Sequence, residues 1–268
     1  MTPHTWRLIE HHILSPAMNL AIDEAIQREV VEGRSPDTLR LWRSPPSVVV
    51  GYFQDWGTSV DHAACERMGI EVVRRVSGGG AVYHDLGNLN YSVVIRRSLA
   101  PVPLDGVEAS MVLLCKGMVE GLSGLDIMAT AQRGSVFAGG RKLSGSAQHR
   151  MHGTVLHHGT LMIDVDLAAL STSLREPYPE RYLVNLRDLC PVAARVDVVT
   201  TRIERGFCRA LGVALKRGWL TQGELALARE LLDMKYGLGD WKAPGAPGRF
   251  RQSRGGAGAV IHSLWGQP

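Results

Sequence analysis

Cysteine is scarce in this chain and falls in no pattern. Four occur in 268 residues, Cys65, Cys115, Cys190 and Cys208, with no Cys-x-x-Cys spacing. That excludes a disulfide scaffold and a cysteine-based zinc framework, and the apolar or helical context of each thiol predicts burial, as in a reducing cytoplasm. No apolar run reaches the roughly 18 residues that a membrane span needs, and residues 1–7 lack the basic and apolar regions of a secretory signal. Neither charge sign dominates, because 30 Lys+Arg against 26 Asp+Glu leaves only +4. That excess is too small for a nucleic-acid coat, so the expected partners include neither nucleic acid nor membrane. Aromatics make up 6%, while 45% hydrophobic and 21% charged residues describe an ordinary soluble globular chain. At this length a core forms without disulfides or a structural metal.

Periodicity sets out the elements. Ser15 as cap, Pro16 in the first turn and Met18, Ile22, Ala25, Ile26 and Val30 predict a helix ending near Gly33, with Asp23, Glu24, Arg28 and Glu29 on its polar face. Residues 38–42 and 47–52 read as a hairpin or neighbouring strands around Pro45 and Pro46. A short helix at 62–68 leads into a strand at 70–75, which runs directly into Ser77-Gly78-Gly79-Gly80. Further strands are expected at 89–95, 135–137, 141–146 and 154–165, and helices at 106–122, 197–211 and 220–236, the last opened by the capping box Thr221-x-x-Glu224. Strands without a helix after each one favour a mixed α+β sheet over a doubly wound fold. Residues 1–242 are expected to form the folded domain, and 243–268, rich in Pro, Gly and Arg, a tail.

Three segments carry candidate chemistry. In residues 74–88, Arg-Arg-Val-Ser-Gly-Gly-Gly-Ala-Val-Tyr-His-Asp-Leu-Gly-Asn, three glycines follow a strand. They permit positive φ and close approach of a ligand to the backbone, with N–H groups able to form an anion nest. Arg75 adds charge, and His84, Asp85 and Asn88 add hydrogen-bonding groups. In residues 139–148, Gly-Gly-Arg-Lys-Leu-Ser-Gly-Ser-Ala-Gln, strand alternation places Lys142, Ser144 and Ser146 on one face and Arg141 and Leu143 on the other. A lysine beside small residues suits a carboxylate or developing phosphoryl charge. In residues 157–161, His-His-Gly-Thr-Leu, adjacent histidines on a strand point to opposite faces and make a poor chelating pair, so no structural metal is expected.

Taken in order, these three motifs closely resemble the lipoate-protein ligase family, and the resemblance runs from the first helix, through Val49-Val50-Gly51-x-x-Gln54, to Trp241. It implies an α+β catalytic domain with mixed, largely antiparallel sheets, related to biotin-protein ligases and class II synthetases. It also implies an ATP-dependent ligase that activates lipoate or octanoate as an acyl-adenylate, with Mg²⁺, and transfers it to a lysine of a lipoyl domain or another lipoate carrier. Lys142 is then the catalytic residue, and Arg75, Ser77, Gly78, Gly79, Gly80, His84, Asn88, Ser144, Gly145, His158, Gly159 and Thr160 line the pocket. Larger members carry a C-terminal accessory domain that this chain lacks after Trp241, so a separate accessory subunit is an expected partner.

Two other readings stand beside the ligase. A related branch transfers octanoyl groups from acyl carrier protein through a cysteine thioester without ATP, which demands an activated thiol near the lysine. No segment around Lys142 holds a cysteine, Cys115 falls in an apolar helix, and Cys190 is the one to test. The ligase is therefore the expected activity. A non-catalytic module binding lipoyl-adenylate or a lipoyl domain is the third reading, and the presence of Lys142 with all three motifs argues against it.

Overall fold

The computed structural model describes residues 4–100, 104 and 106–242; the tail expected at 243–268 lies outside the described residues. Eight strands form one mixed sheet: β1 His4–Ile13, β2 Thr38–Arg43, β6 Asn88–Arg96, β7 Ala129–Gln132, β8 Ser135–Ala138, β9 Arg141–Met151, β10 Thr154–Met162 and β11 Val213–Arg217. Their order is β11-β1-β2-β6-β10-β9-β8-β7. β1 runs parallel to β2 and β11, and the remaining neighbours are antiparallel. A second sheet joins β3 Ser47–Val50, β4 Glu71–Arg74 and β5 Val82–His84 in the order β4-β3-β5. The α+β expectation holds, but β2 and β3 are not a hairpin. The Pro45-Pro46 turn carries the chain from the large sheet to the small one, because prolines that cannot continue a ladder suit such a junction.

The helices are α1 Pro16–Val31, α2 Trp56–Ser59, α3 His62–Arg67, α4 Val107–Ser123, α5 Leu167–Ser173, α6 Leu186–Leu189, α7 Val196–Leu211, α8 Gln222–Leu231 and α9 Gly239–Lys242. The helix α1 begins as its sequence dictates, with the Ser15 hydroxyl accepting from Met18 N and Pro16 in the first turn. Its supposed polar face is buried, however. Asp23, Glu24 and Glu29 are each under 10% exposed. Asp23 pairs with Arg40 on β2, while Glu24 pairs with Arg28 and with Lys235 beyond α8. A helix lying between a sheet and another helix has little solvent-facing surface, here at Met18, Arg28 and Val31, so its buried acids persist only where cations meet them.

On the other side of the sheet, α4 and α7 cross closely because a Cβ at Gly206 would stand 2.3 Å from Gly117 O. Beneath them Leu89, Tyr91, Val93 and Ile95 from β6 fill the core with Leu114, Met118, Ile203 and Phe207. The Thr221–Glu224 capping box forms as expected, and the Glu224 carboxylate also takes two hydrogen bonds from Arg7 on β1. At the end of the described chain, Trp241 Nε1 donates to Arg74 O at 2.9 Å and Arg74 Nε donates to Trp241 O at 3.2 Å. The C-terminal helices are thereby tied to the strand that enters the glycine loop. No helix among the described residues is long and apolar enough to cross a membrane.

Candidate active site

The glycine loop leaves β4 and folds over the middle of the large sheet, where one pocket opens against β9 and β10. Arg75 organises it. Its Nη1 donates to Val49 O (2.9 Å), its Nη2 to Gly78 O (2.6 Å) and Gly80 O (2.8 Å), and its Nε to Ser77 Oγ (3.0 Å). Arg74 similarly donates to the carbonyls of Gly51, Tyr52 and Gln54. The two arginines are therefore clamps on backbone carbonyls, and burial together with neighbouring Arg74 brings Arg75 down to about 10. Gly79 adopts φ +89° and lines the pocket. Gly51 must lack a side chain, since a Cβ there would lie 1.9 Å from Gly79 O.

Lys142 sits at the opposite wall, 4% exposed, with Nζ 5.4 Å from the centre of the Tyr178 ring. A backbone bond from Val184 N to Lys142 O (3.1 Å) holds its strand against the loop from residue 174 to 185. Burial depresses the ammonium from 10.5 to about 7, against a smaller opposing pull from Cys115. The expected sharing of one face by Lys142, Ser144 and Ser146 fails at Ser144. The β8–β9 register passes from Val136↔Ser144 to Phe137↔Lys142, so Leu143 is an extra residue and the alternation breaks there. Ser144 lies opposite Leu161, on the side of the core under α4, and the Ser146 hydroxyl donates to Gly134 O beside Cys115 on α4. Lys142 and Ser146 line the pocket, and Ser144 does not. A bulge re-aims one side chain without changing the strand's path.

Of the other residues expected at the site, Gly145, Gly159, Thr160 and His158 line the pocket. Gly159 also makes room behind it, since a Cβ there would stand 2.6 Å from the Tyr91 hydroxyl. His84 lines it too, edge-on to Trp42 at 5.9 Å between ring centres, with no partner for Nδ1 among the described residues. Burial, with Arg75 and His158 nearby, takes His84 down to about 3 and keeps it neutral. Asn88 acts one step back. Its Oδ1 accepts from Asp85 N at 2.8 Å and its Nδ2 donates to Thr160 Oγ1 at 2.7 Å, tying the turn before β6 to β10. Ser77, Gly78 and Gly80 are reached through Arg75 and do not line the pocket themselves.

Residues not anticipated complete the walls. Leu20 from α1, Trp42 from β2, Val49 from β3 and Val82 from β5 give an apolar surface facing Lys142. No carboxylate lines the pocket, and no group of three or more His, Cys, Asp or Glu among the described residues is placed to hold a metal ion. The donor set therefore offers Mg²⁺ no hard anionic ligand. Asp23 was not singled out either, because among Glu24, Arg28 and Glu29 on one helix face it reads as a surface acid.

The thiols fall differently from expectation. Cys65 and Cys115 are buried, whereas Cys190 and Cys208 are half-buried. Cys190 packs at the margin of the core under α4 and α7, away from the pocket walls. Cys115 Sγ instead lies 3.6 Å from Ser146 Oγ, directly behind the site, and burial pushes it up to about 11.

The family model described as "Lipoyl protein ligase A/B catalytic domain" matches residues 15–208. The chain is 34% identical to the octanoyltransferase LipM of Moorella thermoacetica, over 90% of this chain and 98% of that protein. It is 35% identical to the octanoyltransferase LipM of Kyrpidia tusciae, over 88% and 98%. Among solved structures, a bi-partite lipoate protein ligase from Thermoplasma acidophilum, described with its E2 lipoyl domain, superposes with a TM-score of 0.81 at 30% identity, covering 93% of this chain and 99% of that one. Four octanoyltransferases matched over 97–99% of their length correct the expectation of an ATP-dependent, adenylate-forming ligase.

Proposed function

The chain belongs to the lipoyl protein ligase A/B catalytic domain family of lipoate ligases and acyltransferases, and from that premise we propose that it is an octanoyltransferase. It moves an octanoyl group from the thioester of acyl carrier protein to a lysine of a lipoyl domain, with residues 1–242 as the catalytic unit. The observation that carries this reading is a buried amine facing an apolar pocket without a carboxylate.

Leu20, Trp42, Val49 and Val82 take the acyl chain. Lys142 stands at the carbonyl end, and near neutral pH a large fraction of it is uncharged. The incoming lysine amine attacks the thioester carbonyl, and Lys142 accepts the proton that the amine loses. The tetrahedral centre collapses, the carbon–sulfur bond breaks, and Lys142 returns the proton to the departing thiolate. Amide and free thiol are the products, and no co-reactant is consumed. A base whose pKa lies near the working pH suits both halves of this exchange. Transfer is direct in this reading, because Cys115 is buried with a raised pKa and a thiol in that state is a poor nucleophile.

The partners are thus acyl carrier protein as donor and a lipoyl domain as acceptor. A separate accessory subunit, expected from the sequence, has a counterpart in the bi-partite Thermoplasma relative. The test is to incubate the full chain with octanoyl-acyl carrier protein and a lipoyl domain in the absence of ATP, reading the acceptor by intact mass. The expected result is stoichiometric octanoylation that drops about 100-fold or more in Lys142→Met, the size of effect that general-base loss produces. Octanoylation only from free octanoate with ATP would overturn the reading.

A further inference from the structure

One buried chain of polar groups links α1 to the glycine loop, and the transfer chemistry leaves it unused. Asp23, 1% exposed, accepts from Arg40 Nη1 on Oδ1 at 2.7 Å. Its Oδ2 accepts from Ser92 Oγ at 2.7 Å and faces His158 Nδ1 at 3.3 Å. The other ring nitrogen, His158 Nε2, lies 2.6 Å from Ser77 Oγ, which also accepts from Arg75 Nε. Arg75 in turn gathers the carbonyls of Gly78 and Gly80 around Gly79. The line thus begins on a helix, crosses β10 and ends in the loop that roofs the pocket.

Its direction follows from donor and acceptor counts. Burial opposes the Asp23 charge, but Arg40, His158 and Ser92 hold the carboxyl below its usual range, so it only accepts. The Nδ1 proton of His158 therefore points at Asp23. In the neutral ring Nε2 is then an acceptor, and the Ser77 hydroxyl must donate to it. That leaves the Ser77 lone pairs for the Arg75 Nε–H.

We infer that Asp23 is a positioning residue for acyl transfer: through His158 and Ser77 it fixes the orientation of Arg75 and hence the Gly79 backbone against which the acyl group reacts. The inference rests on the acyl-transfer reading for its kinetic consequence but not for its geometry. Without the carboxylate, the His158 ring can take the opposite tautomer. Nε2–H would then point at a hydroxyl already receiving Arg75, and the loop would lose its single arrangement.

The test combines ¹⁵N NMR of the His158 ring with transfer kinetics in the full-length wild type, Asp23→Asn and Ser77→Ala. The expected result is the Nδ1–H tautomer in wild type, a shift toward Nε2–H in Asp23→Asn, and a kcat lowered about 30-fold in both variants with KM for each partner within about twofold. Combining the two substitutions is expected to cost no more than either alone, as groups acting in one line do. Ser77→Ala leaves the Asp23–Arg40 pair intact, so it keeps the kinetic arm decisive if Asp23→Asn fails to fold. An Nε2–H tautomer in wild type overturns the inference, and so does an unchanged kcat in Ser77→Ala. Absence of wild-type turnover refutes the transfer reading alone, while the tautomer measurement still decides the relay.

Discussion

Lys142→Met isolates the cost of burying the amine. Methionine keeps an unbranched side chain of similar reach but carries no proton. In the folded chain burial lowers the lysine from 10.5 to about 7. Below both values the group is protonated in the folded and unfolded states, and the desolvation penalty is fully present. Between them the unfolded chain holds a proton that the folded chain does not, so wild-type stability rises with pH, by at most about 1.4 kcal/mol per pH unit. Across the whole window this amounts to about 5 kcal/mol, and between pH 6 and pH 9 to about 3 kcal/mol. Lys142 is 4% exposed, so solvent screening takes little from that figure.

The assay is urea unfolding of wild type and Lys142→Met at pH 6, 7.5 and 9, followed by tryptophan fluorescence. Other titrating groups are common to both proteins and cancel in the difference. The variant is expected to be the more stable at pH 6, with its advantage shrinking by about 3 kcal/mol by pH 9. A difference that stays flat within about 0.5 kcal/mol would refute the depressed amine, and with it the role of Lys142 as a base at neutral pH.

Two further substitutions probe the loop and the thiol. In Gly51→Ala the new methyl meets Gly79 O at 1.9 Å and Arg75 Nη2 at 3.2 Å, so thermal and urea unfolding should report a loss of about 3 kcal/mol, and transfer should fall at least tenfold; unchanged stability and rate would mean that the loop yields freely. Cys115→Ser should leave the transfer rate within about threefold of wild type, since a buried thiol raised to about 11 is not the carrier. Loss of activity together with loss of a hydroxylamine-sensitive acyl-enzyme would instead make Cys115 the carrier.

Local pattern alone determined much of this molecule. The Ser15–Pro16 start of α1, the capping box at Thr221 and Glu224, the helix at Val107–Ser123 and the strand that runs into Ser77–Gly80 are written in short-range spacing, and they form as that spacing demands. The motif residues were legible too, because glycines at a strand end and a lysine between small residues are local facts, and the fold brings several of them to one pocket. What depended on distant contacts was not legible. Whether Pro45-Pro46 turns a hairpin or crosses between sheets depends on which ladder accepts β3, and no neighbour in sequence specifies that. The bulge at Leu143, which turns Lys142 into the pocket and Ser144 away from it, exists only in the register with β8. Asp23 reads as a surface acid until Arg40 and His158, 17 and 135 residues away, are folded onto it. Spacing along one element fixes which side chains share a face, but only packing between elements decides which face is solvent, which is core and which is the site.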